Sequence, residues 1–149
     1  MPTVYQPNDT IISPIIAAIA TIVKTQVAGV TVVYEQPPDG PPEDGSVALP
    51  LAGYKIIGDT NGKLSIKLTI AIKHFVVRGS YPENILAAYS YVVPYFQAFA
   101  QWSNQGLGGL CQNISLSNGG PTQYVYAGQV FVALVVNLDV FLEFNIPTN

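Results

Sequence analysis

Charge is scarce in this chain: six Lys or Arg and nine Asp or Glu among 149 residues, or 10%, against about 25% in a typical soluble domain. A soluble monomer generally needs more than that to cover its surface. The deficit therefore points to surface covered by other chains or by a membrane. A net charge of −3 excludes overall electrostatic steering toward nucleic acid, which calls for a basic surplus, although a local basic patch remains compatible with it. One cysteine, Cys111, excludes an internal disulfide and suits a reducing site of assembly, where it reads as a small buried apolar residue. One histidine, His74, means that a metal cluster would need carboxylates, and none stands near it at ligand spacing. His74 follows Ile72 on a strand pattern and reads as a hydrogen-bonded strand histidine. Residues 1–9 carry no positive charge ahead of the first apolar run, so they do not read as a secretory signal.

Catalytic motifs are missing as well. There is no G-x-S-x-G. "GLGG" at 106–109 lacks both a strand leading into it and a following Gly-Lys-Ser/Thr, so it is not a phosphate loop. Asp139 and Glu143 share a strand face but stand about 13 Å apart at strand rise, too far for a glycosidase-type carboxylate pair. The expectation is a protein without enzymatic activity, cofactor or metal.

What the chain does have is 49% hydrophobic residues, and their spacing gives the elements. Residues 85–102, "ILAAYSYVVPYFQAFAQW", are uncharged over about the minimum span of a membrane helix. Ser90, Gln97, Gln101, the central Pro94 and the lack of flanking basic residues favour a buried helix instead, and no membrane partner. A helix is expected over 11–27, capped by Thr10 or Ser13, with Pro14 in its first turn and Gly29 as its stop. "GVTVVYEQ" and "GYKIIG" read as strands on either side of a proline-rich acidic loop at 36–50, which is too short to divide domains. After the turn "DTNG", residues 63–77 alternate, with Leu64, Ile66, Leu68, Ile70 and Ile72 on one face and Lys63, Lys67 and Lys73 on the other. A second helix spans 81–104, opened by a Ser80/Glu83 capping box and kinked or split by Pro94. Its apolar repeat is Ile85, Tyr89, Val92, Phe96 and Phe99. A strand near 111–117 turns through "SNGGP". Gly128 reads as a bulge or bend ahead of a final strand in which Val130 to Ile146 alternate without a break. The fold class is α+β: one domain over 1–149, with a mostly antiparallel sheet of long strands packed against an N-terminal helix and a second, Pro-kinked helix.

That last strand would run about 55 Å, so it either bends between two sheets or projects past the core. Its second face carries Phe131, Val135 and Phe141, to be covered by helices or by a neighbouring subunit. The lysine face at Lys63, Lys67 and Lys73 is either plainly solvated, or turned toward a channel or an acidic neighbour. Asp39, Glu43 and Asp44 of the proline loop could supply that neighbour, and a head-to-tail meeting of loop and lysines would build a ring. Proline restricts such a loop before it docks and so lowers the entropy lost on binding.

Several stretches together resemble the tail terminator (tail-tube completion) proteins of long-tailed bacteriophages over nearly the whole length. These are the first helix leading into "GVTVVYEQ", the Pro-rich loop ending "ALPLAGYKI", the strand ending "HFVVR", and the tyrosine-rich helix from Tyr81 to Trp102. The closing "YVYAGQVFVALVVNLDVFLEF", with "YAG" at 126–128 before a long final strand, completes the likeness. The resemblance implies a structural virion protein, assembled in the host cytoplasm and placed at the head-proximal end of the tail. It would form a homo-oligomeric ring, a hexamer, that caps the tail tube protein, ends its polymerisation and joins a head-tail connector or neck protein. DNA would pass through the lumen without specific binding. The family contributes no catalytic residues. Two other readings stand beside it: another neck or tube protein such as a connector, and a small-ligand-binding α+β domain using Tyr89, Tyr91, Phe96 and Trp102.

Overall fold

The computed structural model describes residues 10–36 and 40–145. Pro37, Pro38 and Asp39, the expected tip of the acidic loop, and Ile146 at the end of the last strand lie outside them.

The first helix, α1 (Ile12–Gln26), turns Ile15, Ile19, Ile22 and Val23 inward at helical spacing. Its cap position falls on Ile11, which has no side-chain acceptor, rather than on Thr10 or Ser13. Lys24 in the last turn donates to the Thr31 carbonyl, which suits a cation at the negative end of the helix.

Six strands form one mixed, mostly antiparallel sheet: β1 (Val32–Tyr34), β2 (Ser46–Ala48), β3 (Leu51–Thr60), β4 (Lys63–Val76), β5 (Asn113–Tyr126) and β6 (Gln129–Asn145). Their order is β1-β2-β4-β6-β5, with β3 also on β4. Only β1 and β2 run parallel. The α+β class is therefore as expected, with β2 as an additional strand inside the segment read as loop. β4 pairs with β2 at Lys73 and His74 and with β3 from Lys63 to Ile70. Two different strands thus share one edge of it. β3 and β4 turn at Asn61-Gly62, and their outer half forms an arm at one end of the sheet.

β6 neither divides between two sheets nor leaves the core early. It is an inner strand, flanked by β4 along Val132–Asn145 and by β5 along Gln129–Phe141. Only its last few residues run past β5 into the arm. Alternation holds on the core face, where Val132, Leu134, Val136, Leu138, Val140 and Leu142 are all buried. Two features at this edge differ from expectation. "SNGGP" is a bulge within a continuous β5, with the register shift between Leu116 and Gly119. A Cβ at Gly119 would run into the Val135 carbonyl, so this close strand approach admits only glycine. Ala127-Gly128 is the two-residue β5–β6 turn, with φ of 50° and 77°, rather than a bulge. Positive φ at both positions matches the right-handed twist of a hairpin.

The long second helix is two helices, α2 (Tyr81–Tyr89) and α3 (Val92–Ala100). The break falls just before Pro94, whose ring obstructs and whose missing N–H cannot satisfy the carbonyl four residues back. Single turns of 3-10 helix follow at Trp102–Asn104 and Leu107–Gly109. The apolar phase also differs: Asn84, Ala88, Tyr91, Tyr95, Ala98 and Phe99 are buried, while Tyr89 and Phe96 are exposed. Ser80 is the N-cap but makes no capping bond. The Asn84 side chain instead fastens the chain leading into the helix, accepting from the N–H groups of Arg78 and Gly79, both at 3.0 Å, and donating to the Gly79 carbonyl.

The main core lies between the helices and the even-numbered face of β4 and β6. A small cluster of Ala48, Phe75, Phe131 and Ala133 sits on the opposite face under Tyr124 and Tyr126. No described helix is long and apolar enough to cross a membrane.

Candidate assembly surfaces

His74 is fully buried on β4. Its Nδ1 lies 2.8 Å from the Tyr95 hydroxyl, and its ring stacks on Tyr91 with centroids 4.1 Å apart. Nε2 has no partner among the described residues. Burial lowers its pKa to about 4, with a smaller upward pull from Asp44 and a downward push from Arg78. The imidazole is therefore a neutral core group. Tyr95 is pushed up by the same burial. Cys111 is half-buried and directed at the Gln105 carbonyl, and burial raises its thiol, which makes it a poor nucleophile. Among the described residues no group of His, Cys, Asp and Glu could hold a metal ion.

Some of the loop acids and lysines expected to meet between copies are engaged within one chain. Asp44 is committed within its own chain: Oδ1 accepts from the Val77 N–H at 3.0 Å and Oδ2 from Arg78 Nε at 3.1 Å. Arg78 in turn donates to the Tyr91 hydroxyl. A chain of polar contacts thus ties the second half of the loop to the buried histidine. Gly45 N–H donates to the Phe75 carbonyl, and Pro42 and residues 45–49 are buried, so this half of the loop lies on the sheet. Glu43 remains exposed. Lys63 pairs with Glu143 at 3.6 Å, and Lys73 lies 4.7 Å over the Tyr124 ring. Lys67 stands directly opposite Lys55 of β3, a like-charge pair with no counter-ion among the described residues. Phe131 is covered by its own chain, edge-on to Tyr126. Val135 and Phe141 are half-buried.

Sequence patterning missed the two largest exposed apolar surfaces. One is β3, which carries Leu51 (42% exposed), Tyr54 (72%), Ile56 (55%) and Ile57 (48%) along an edge with no partner beyond it. Leu51, Tyr54 and Ile56 continue the apolar side of the sheet, opposite Ile70, Leu68 and Ile66 in the register. The other is the outer stripe of α2 and α3, with Leu86 (72%), Tyr89 (57%), Val93 (57%) and Phe96 (46%), extended by Trp102 at 92%. Between this stripe and the β5 bulge runs a groove of about 260 Å³ with Tyr89, Phe96, Gly119, Pro121 and Val135 in its wall. The four aromatics expected to form a ligand pocket do not converge there: Tyr91 is buried against His74 and Trp102 points into solvent.

The sequence matches no protein-family model and no curated protein.

Proposed function

We propose that the protein is a structural virion component that assembles into a ring, a hexamer, at the head-proximal end of a phage tail. There it caps the tail tube, ends tube polymerisation and joins the tube to the head-side connector. The observation that carries this reading is the placement of bare apolar surface at both lateral edges of one sheet, β3 on one side and the α2–α3 stripe beside β5 on the other. A subunit with two different sticky flanks adds head to tail and closes a ring when the rotation per step allows.

The sheet face between the flanks supports the same reading. Lys55, Lys63, Lys67 and Lys73 share the side away from the helices, with Glu143 and Asp139 as the acids among them. This face is basic within an acidic chain, and turned toward the ring axis it would let DNA pass over it. The groove beside the stripe, at about 260 Å³, is smaller than the roughly 300–1,000 Å³ of ordinary ligand sites.

Mixing the purified protein with tail tubes and imaging them by negative stain tests the role. A ring is expected at one end of each tube, and tubes growing in its presence should stop at the capped end. Bare ends and unrestricted growth would refute the tail role.

A further inference from the structure

We infer that the ring contact is a helix-on-sheet joint: the β3 arm of one copy receives the α2–α3 stripe of the next. This rests on the ring reading above and names the two surfaces that close it. Within a chain, apolar sheet faces are covered by apolar helix stripes, and each is unstable in water without the other. Here α1, α2 and α3 cover the sheet over β4 and β6, but the same apolar side runs on through Leu51, Tyr54 and Ile56 with those side chains exposed. The helices likewise bury one stripe at Ala88, Tyr91, Tyr95 and Ala98, and leave a second at Leu86, Tyr89, Val93 and Phe96. Each surface is the missing half of the other.

One chain cannot join them itself. β3 and β5 are separated by β4 and β6, three strand spacings or about 14 Å, and the stripe borders β5. The two surfaces are different and lie toward opposite edges of the sheet, so joining them between copies makes a heterologous contact. Neither surface carries a charge at its centre: Glu83 is the one charged residue of α2 and α3, and Lys55, the one charged residue between Leu51 and Gly58, lies on the other face of the sheet. A stable interface takes about 800 Å² from each partner. Four exposed arm side chains against five on the helix side, two of them large aromatics more than half exposed, form an apolar centre suited to that size.

Tyr54→Glu blocks the arm and Val93→Glu blocks the stripe, each at a site more than half exposed. Each variant alone should run as a 15.9 kDa monomer in native mass measurement at micromolar concentration, where the unmodified protein runs as a ring. Mixed one to one, they should form a dimer and nothing larger, because the intact arm of one fits the intact stripe of the other. Leu51→Glu probes the same arm face if Tyr54→Glu does not fold. Both variants retaining the ring mass, or two folded variants giving no dimer on mixing, would overturn the joint and leave the ring reading standing. An unmodified protein that is itself monomeric would overturn both.

Discussion

At the scale of single residues, His74 shows how little a titratable side chain says without its surroundings. Its position after Ile72 placed it on the core face, and it is there, fully buried between Tyr91 and Tyr95. What no spacing could convey is its link through Tyr91 and Arg78 to Asp44, a residue 30 positions earlier that looked like a free loop acid. Sequence separation hid that contact entirely. The consequence is measurable. A histidine at pKa about 4 in the fold against 6.5 unfolded binds its proton more readily unfolded, so its contribution is complete above pH 6.5 and is lost as pH falls toward 4. Between pH 7.5 and 5 the loss should be about 2 kcal/mol. Denaturant midpoints of the parent and His74→Leu across that range should converge as pH falls; parallel curves would show that the imidazole is not held neutral by burial.

At the scale of elements, alternation was legible wherever one face was apolar and the other was not. β4 and β6 keep their expected apolar residues on the core face, although Ala71, Phe75, Phe131, Ala133 and Asp139 are buried on the other face too, and α1 shows its stripe plainly. The helical segment from Tyr81 failed for the opposite reason. Nearly every residue in "ILAAYSYVVPYFQAFA" is apolar, so several phases fit equally and the buried one is chosen by packing against β4, β5 and β6. "SNGGP" was ambiguous because bulges and turns use the same residues; only the pairing of β5 with β6 on both sides of it separates them. The capping box does not form: Ser80 makes no capping bond, and the Asn84 side chain, one turn in, ties down the Arg78 and Gly79 N–H groups just ahead of the helix instead. Asn84→Ala, which removes the shared acceptor of the Arg78 and Gly79 N–H groups, should therefore lower stability by about 1 kcal/mol, while Ser80→Ala should change it by less than about 0.5 kcal/mol. Chemical denaturation of both variants checks the order, and a larger loss at Ser80 would restore the capping box.

At the scale of the whole molecule, the scarcity of charge was the most informative signal, and it pointed at surface rather than at any motif. The surface turned out to be specific: the edge of β3 and the outer stripe of α2 and α3, with the lysine face between them. The second half of the proline loop lies against the sheet through Asp44 and Gly45. The most direct test is the native mass of the unmodified protein at micromolar concentration. Ring assembly predicts one closed species at an integral multiple of 15.9 kDa, a sixfold multiple for a hexamer, with no ladder of larger forms. A single 15.9 kDa species, unchanged when tail tubes are added, would contradict it.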